Sequence, residues 1–161
     1  MIYLQFVLIP SLEDYDNKAK RGISSAMINI LLVMLGGAFG SACRYLLGRA
    51  TAMWWPHEQW PLNEWPLGTF LANVIGGLLM GLLMGLLLGP LKGMFDTERA
   101  RLLLGVGVLG GFTTFSSFSL ETVQMLERRA YGLAAGYVTL SVILSVAAVA
   151  VGMILIRKFA A

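Results

Sequence analysis

The chain has 161 residues, of which 57% are hydrophobic and only 13% are charged. This composition is too apolar for a water-soluble domain of this size and indicates an integral membrane protein. The net charge of +3 is scattered, with no basic stripe interleaved with aromatic residues, so we expect no nucleic acid partner.

The first 26 residues differ from the remainder of the chain. An apolar stretch over residues 1–10 is followed by acidic and basic residues between positions 13 and 21. A signal peptide has the opposite order, with its positive charges before the apolar stretch. We therefore separate an N-terminal extension, residues 1–26, from a membrane domain, residues 27–161. The extension is interpreted as disordered, or as the product of an early start codon with Met27 as the real first residue.

Four long runs contain no Asp, Glu, Lys or Arg. They cover residues 22–43, 66–91, 102–120 and 130–156. About 20 apolar residues cross the hydrocarbon core of a bilayer, and lipid tolerates neither open sheets nor exposed loops. The chain is therefore predicted to be an all-α membrane protein with four transmembrane helices. The predicted helices cover residues 23–47, 67–88, a third segment from about residue 102, and residues 131–156.

The connections have distinct compositions. The first contains Trp54, Trp55, Trp60 and Trp65 with several prolines, which predicts a segment at the membrane–water interface. Gly89-Pro90 ends the second helix, and residues 92–101 form a short charged loop. His57 is the only histidine and Cys43 the only cysteine, so neither a metal-ligand cluster nor an internal disulfide is predicted.

Glycines recur every four residues on two of the helices. The second helix has Gly77, Gly81 and Gly85, and the first has Gly36 and Gly40. Small residues at this spacing let helix backbones approach closely in lipid. The glycines could pack helices within one chain or between chains. Since four helices of this size enclose little interior, we favour an oligomer.

Polar residues inside the predicted helices are candidates for function, because lipid cannot satisfy their hydrogen bonds. Asn73 lies about two turns into the second helix. Tyr137, Ser141 and Ser145 recur every four residues on the fourth helix, which places their hydroxyls on one face. A single serine can bond back to its own helix. A row of three hydroxyls with a separate asparagine is typical of a polar track.

The third helix contains two adjacent glycines, Gly110 and Gly111, shortly before Thr113 and Thr114. This pattern predicts a helix that is broken in the middle of the membrane, as in many ion transporters. A break frees backbone carbonyls for a cation and hydroxyls for an anion. Phe115 and Phe118 then share one helix face, and their positively polarised ring edges can attract an anion. The alternative is that both rings simply face the lipid and have no role in binding an ion.

Three stretches together resemble the signature motifs of the Fluc (CrcB-type) fluoride channel family. They are GGAFGSACRY at 36–45, GTFLANVIG at 68–76 and GGFTTFSSF at 110–118. Their order and spacing agree, and the resemblance covers the chain from about Met27 to its end. It implies an antiparallel, dual-topology homodimer in the inner (plasma) membrane, with two narrow pores along the subunit interface. The implied function is passive export of fluoride from the cytoplasm, which lowers its toxicity.

The resemblance also implies roles for individual residues. Arg44 matches the basic residue of an aqueous vestibule, and the backbone carbonyls of Gly110 and Thr113, with their symmetry mates, hold a central structural sodium ion. Ser117 stands where the family usually has Thr, and Phe112 where Leu is common. The implied fluoride-pore residues are Phe115, Phe118, Asn73, Tyr137, Ser141 and Ser145, with Ser117, Thr69 and Glu121 as further members.

The distribution of Lys and Arg gives an independent prediction of topology. Eight of these residues lie on the side of the N-terminus, the 92–101 loop and the C-terminus, and four lie on the other side. If translation starts at Met27, the first number falls to five. Because orientation follows the Lys/Arg bias, near-balance agrees with insertion in both directions.

Three other functions were weighed. A small multidrug-resistance-type transporter needs an acidic residue in its first helix, and residues 22–43 contain none. An intramembrane enzyme needs a nucleophile with a base, or a metal cluster, and His57 alone provides neither. A pure assembly subunit would not explain a buried Asn73 or a broken third helix. The chain also has no P-loop, which agrees with passive flow.

Overall fold

The computed structural model describes residues 12–54, 65–94 and 96–159, and the side chains of these residues from position 20 onward. The described part is helical, without strands. Its helices are α1 (Leu12–Trp54), α2 (Leu67–Leu88), α3 (Thr97–Ala100), a π-helical segment (Arg101–Leu109), α4 (Gly110–Phe112), α5 (Phe115–Glu127) and α6 (Tyr131–Phe159).

The predicted number of membrane-spanning helices is confirmed within the described residues. α1, α2, α6 and the stretch Thr97–Glu127, which contains α3 to α5, are each long and apolar enough to cross a bilayer. α2 has the predicted bounds, whereas α1 extends beyond residues 23–47 at both ends. The first eleven residues of the predicted extension lie outside the described residues, as do Trp55, His57 and Trp60 of the predicted interfacial segment.

The third span begins earlier than the charge pattern predicted. Residues 92–101 were expected to be a loop, but α3 begins at Thr97. The carboxylate of Asp96 caps this helix by accepting a 3.0 Å hydrogen bond from the backbone N–H of Arg99. Ion pairs join Asp96 to Arg99 at 3.0 Å and Glu98 to Arg101 at 2.8 Å, each three residues apart. The charges therefore start a helix.

Two residues within the third span depart from helical geometry. α4 ends at Phe112 and α5 begins at Phe115. Between them, Thr113 has φ −81° and ψ 159°, and Thr114 has φ −153° and ψ 121°. Both conformations are extended, so the backbone hydrogen bonds of a regular helix are redirected at this point.

The glycines of α2 pack against α6 of the same chain. A Cβ atom at Gly77 would lie 2.8 Å from the carbonyl oxygen of Ser145, and one at Gly81 would overlap the carbonyl of Val149. On the opposing helix, a Cβ at Gly152 would lie 2.5 Å from the carbonyl oxygen of Leu78. The glycine row therefore serves packing within one chain, and the argument from this row to an oligomer does not hold.

The glycines of α1 accommodate the third span in the same way. A Cβ at Gly36 would lie 2.9 Å from the Cα of Gly107, and one at Gly40 the same distance from the backbone nitrogen of Phe112. Gly111 in turn approaches the backbone of α1. Since small residues face each other on both helices, α1 and the third span can pack backbone to backbone. This contact fixes the position of the segment that precedes Thr113 and Thr114.

Most large apolar side chains face outward. Phe115 is 79% exposed, and many aliphatic residues of α1 and α6 are exposed as well. Within the described residues few apolar side chains are buried, and Tyr137 is the largest one that is fully buried. Exposing such apolar surface to water would cost about 25 cal/mol of free energy per Å². The described bundle is therefore built to be surrounded by lipid or by another apolar surface.

Candidate functional site

The carboxamide of Asn73 on α2 contacts the interruption in the third span. Its Oδ1 atom accepts a 2.8 Å hydrogen bond from the backbone N–H of Thr114, and its Nδ2 donates to the Thr114 carbonyl at 3.1 Å. One side chain thus pairs both backbone groups of an extended residue. Because Nδ2 carries two hydrogens, one remains for another acceptor.

Thr114 also determines where α5 begins. Its Oγ1 accepts a 3.2 Å hydrogen bond from the backbone N–H of Ser117, which is the N-cap geometry typical of threonine. The hydroxyls of Ser116 and Ser117 lie 3.3 and 3.2 Å from the same Oγ1. Three hydroxyl groups therefore gather at the first turn of α5.

These bonds change the surroundings of two carbonyl groups. In a regular helix the N–H of Thr114 would donate to the carbonyl of Gly110, and that of Ser117 to the carbonyl of Thr113. Here the first N–H donates to Asn73 and the second to the Thr114 side chain. The carbonyls of Gly110 and Thr113 therefore lack their usual helical donors, and oxygens of this kind are suitable ligands for a hard cation.

Four aromatic rings form a row from α5 to the start of α2. The Phe115 and Phe118 ring centroids are 5.7 Å apart, and the Phe118 and Tyr137 centroids are 5.3 Å apart. Trp65 packs edge-on against Tyr137, with centroids 5.5 Å apart and an interplanar angle of 86°. Phe118 therefore packs against Tyr137, while the side chain of Phe115 is exposed at the surface of the chain.

A carboxylate lies between two hydroxyl groups near this aromatic row. Glu121 Oε1 accepts a 2.6 Å hydrogen bond from the Thr69 hydroxyl, and Oε2 accepts a 2.7 Å bond from the Tyr137 hydroxyl. Charge-assisted bonds of this length are stronger than neutral ones. The cluster ties α5 to both α2 and α6.

The main cavity adjoins the interruption and has a volume of about 420 Å³. Ser141 is only 4% exposed, and neither its Oγ nor that of Ser145 has a hydrogen-bond partner in the described residues. Buried hydroxyls without partners are costly, so a ligand or water in the cavity is expected to satisfy them. The polar and aromatic residues that line the cavity are Asn73, Thr113, Thr114, Phe115, Phe118, Ser141 and Ser145.

A second cavity of about 240 Å³ borders the carboxylate cluster. Thr69 and Glu121 line it together with Trp65 and with Gly48 and Thr51 of α1. Thr69 and Glu121 therefore border this cavity, whereas Tyr137 is fully buried behind them. None of the three residues Thr69, Glu121 and Tyr137 lines the main cavity.

The structure brings most of the predicted site residues together, in two groups. The main cavity contains Asn73, both phenylalanines and both serines, and the smaller cavity contains Thr69 and Glu121. Ser117 lines neither cavity and lies at the first turn of α5. Arg44 is half-buried on α1 and borders neither cavity.

Two residues at the site, Thr114 and Trp65, were not among the site residues predicted from the sequence. Thr114 caps α5 and pairs with Asn73, and its position directly before Phe115 in a threonine–serine segment is a recognisable helix-start signal. Trp65 packs against Tyr137, but nothing local distinguishes it from the neighbouring tryptophans. Its contact partner lies on α6, far away along the chain.

Comparison with known proteins agrees with the motifs. Residues 31–153 match the family described as CrcB-like protein, Camphor Resistance (CrcB). The chain is 52% identical over 136 residues to the fluoride-specific ion channel FluC of Caulobacter sp. (strain K31), covering 82% of this chain and 97% of that protein. It is 47% identical over 132 residues to the FluC of Agrobacterium fabrum, covering 82% and 98%. The family resemblance seen in the sequence is confirmed.

Proposed function

This chain belongs to the CrcB family, and on that premise we propose that it is a fluoride-selective ion channel that carries fluoride passively out of the cytoplasm. It is a channel rather than an enzyme. The chain matches fluoride-specific ion channels over nearly the whole length of those proteins, which supports fluoride as the ion. Passive export lowers cytoplasmic fluoride and thereby its toxicity.

The single observation that carries this proposal is the pair of unpartnered hydroxyls in the main cavity. The Oγ atoms of Ser141 and Ser145 are buried and have no hydrogen-bond partner in the described residues. Fluoride is small and strongly hydrated, so a dry path must replace its water with oriented donors. Neutral hydroxyl donors bind an anion firmly enough for entry and weakly enough for release. Both serines are therefore assigned to the ion path.

Asn73 and the two phenylalanines complete the donor set of the main cavity. One Asn73 amide hydrogen remains after its bond to Thr114. The edges of Phe115 and Phe118 carry positive partial charge, which attracts an anion without binding it as tightly as a full charge would. Tyr137, Thr69, Glu121 and Ser117 extend this path toward the smaller cavity and the start of α5.

The channel is proposed to be a homodimer of antiparallel subunits. Phe115 is 79% exposed although it lines the main cavity, and Val142 and Val146 beside it are exposed as well. A second copy would cover this face and convert an open groove into an enclosed path. Counted from Met27, five Lys and Arg residues lie on one side and four on the other, and this near-balance supports insertion in opposite orientations.

A structural sodium ion is proposed at the centre of this dimer. The carbonyls of Gly110 and Thr113 lack their helical donors, and Gly110 is exposed in the single chain. Two such carbonyls from each subunit provide an oxygen-only ligand set, which suits a hard cation. When bound, the ion would join the two interruptions. Arg44 is proposed to lie in an aqueous vestibule of the channel. The channel itself is proposed to lie in the inner membrane.

The direct test is fluoride efflux from liposomes. Vesicles loaded with potassium fluoride and containing the purified chain should release fluoride when valinomycin allows potassium to leave. Protein-free vesicles are the background control, and vesicles loaded with potassium chloride test selectivity. Efflux no faster than from protein-free vesicles, with the chain folded and inserted, would reject the function. Equal chloride release would reject fluoride selectivity.

A further inference from the structure

The contact between Asn73 and Thr114 is not explained by the donation of an amide hydrogen to an anion. An asparagine that serves only as an anion donor needs a free amide group, and its carbonyl oxygen needs no particular partner. Here both ends of the carboxamide are used by a single backbone residue, at 2.8 and 3.1 Å. This is the pairing that a neighbouring β-strand would supply to an extended residue.

The pairing solves a specific problem at the interruption. Thr114 is buried, and its backbone N–H would be unsatisfied in the extended conformation without a partner. Without Asn73, the Thr114 N–H could instead donate to the carbonyl of Gly110, and the third span would then be a continuous helix. Asn73 offers the N–H an acceptor on another helix and therefore favours the open conformation.

A second feature of α2 fits the same segment. Gly76, three residues after Asn73, faces Thr113, and a Cβ at Gly76 would overlap the Thr113 methyl group and lie 3.3 Å from the Phe112 ring. Asn73 and Gly76 share a helix face. α2 therefore presents one group that binds the backbone of Thr114 and one gap that receives Thr113.

We propose that Asn73 is a positioning residue that holds the third span open. Its two hydrogen bonds keep the Thr114 amide away from the Gly110 carbonyl and fix the residue that caps α5. They thereby place Phe115 and Phe118 at the main cavity. This role differs from direct donation to an anion, which needs only the remaining amide hydrogen of Asn73.

Solid-state NMR of the protein in lipid bilayers tests this role without measuring transport. The dipeptides Phe112-Thr113 and Thr113-Thr114 each occur once in the sequence, so pairwise labelling identifies both threonines. Their Cα and Cβ chemical shifts distinguish extended from helical backbone. In Asn73→Leu, which keeps the side-chain volume and removes both bonds, we expect both threonines to leave the extended range and fluoride efflux to fall at least about tenfold.

Thr69→Val is the matched control on the same helix. It removes the hydrogen bond to Glu121, one turn before Asn73, and keeps the branched shape. Both threonines should retain extended shifts in this variant. Asn73→Asp separates the two roles, since it keeps an acceptor for the Thr114 N–H but adds negative charge. It should retain extended shifts while efflux falls.

Two results with the Asn73→Leu variant would overturn the proposal. Extended shifts combined with lost efflux would show that Asn73 acts on the anion alone. Non-extended shifts combined with normal efflux would show that the open conformation is not needed for conduction. If that variant fails to fold, a measurement on the unmodified protein still tests the proposal. Dipolar coupling between labelled Asn73 Cγ and the Thr114 nitrogen must be detected, and its absence would reject the contact itself.

Discussion

The hydroxyl of Tyr137 donates a 2.7 Å hydrogen bond to Glu121, which joins the fourth span to the third. The sequence placed Tyr137 in a row with two serines of α6, but its partner lies on α5. The carboxylate also accepts from Thr69, so removal of either hydroxyl leaves a half-satisfied charged group. Bonds to a charged acceptor contribute about 1.5–3 kcal/mol each.

Tyr137→Phe keeps the ring packing and removes only the hydroxyl. We expect the free energy of unfolding to fall by about 1–3 kcal/mol because Glu121 loses one donor in a partly buried site. Fluoride efflux should fall as well. Tyr131→Phe on the same helix is the control, since Tyr131 is exposed. Thermal denaturation in detergent compares the two variants, and equal midpoints would show that the Tyr137 bond adds no stability.

Phe115→Ile tests whether the ring edge attracts the anion. Isoleucine keeps apolar volume but lacks the polarised edge, so we expect efflux to fall at least about tenfold with the dimer intact. Phe39→Ile is the control, because Phe39 is 63% exposed on α1 and borders neither cavity. Size-exclusion chromatography checks assembly. Efflux at the original rate in Phe115→Ile would identify the ring as packing.

Phe118→Ile is a less specific change than Phe115→Ile. Phe118 contacts Tyr137 at 5.3 Å and packs against the buried cluster around Met125. Loss of a buried aromatic contact of this kind costs about 0.5–1.5 kcal/mol beyond area burial. We expect Phe118→Ile to lower both the unfolding midpoint and efflux, whereas Phe115→Ile lowers efflux alone. If Phe115→Ile and Phe118→Ile changed the unfolding midpoint equally, the two rings would not differ in their contribution to stability, contrary to their different environments.

Ser141→Ala should separate function from stability. The Oγ of Ser141 is buried without a partner, so its removal is expected to leave the free energy of unfolding unchanged or to raise it by up to about 1 kcal/mol. Fluoride efflux should nevertheless fall. Ser119→Ala removes a hydroxyl that bonds its own helix at Phe115 and should leave efflux unchanged. A destabilised Ser141→Ala protein would mean that the hydroxyl has a structural partner.

Gly81→Ala tests the close approach of α2 and α6. The added methyl would overlap the backbone carbonyl of Val149, and overpacking of this kind costs about 1–3 kcal/mol. Gly132→Ala is the control, because a Cβ at Gly132 meets nothing within 4 Å. The control should be neutral or more stable, since alanine favours helix. Thermal unfolding that is equal in both variants would show that the two helices can separate without cost.

Three lysines added at the C-terminus test antiparallel insertion. The added charge should hold that end in the cytoplasm, and a single orientation should lose efflux. Coexpression with a variant pinned in the opposite orientation, by lysines added to the connection between Glu127 and Tyr131, should restore it. Full efflux from one pinned form alone would reject the dual-topology arrangement.

Local sequence features predicted the spans well and the interactions poorly. The bounds of α2 were predicted correctly because a continuous apolar run ends at Gly89-Pro90. The start of the third span was misplaced, since the charges of residues 96–101 form a cap and two ion pairs that favour helix. The glycine row was identified, but its partner helix was not, because close packing within one chain and between chains uses the same spacing.

The sequence alone determined that this protein has four apolar spans, which family it belongs to, and which polar residues lie within the spans. Those properties follow from the transfer free energy of local segments and from short motifs. Only the tertiary structure decided that Asn73 pairs with Thr114 and that Glu121 lies between Thr69 and Tyr137. Each of these bonds joins different helices, and a hydrogen bond forms only where folding brings donor and acceptor within about 3 Å.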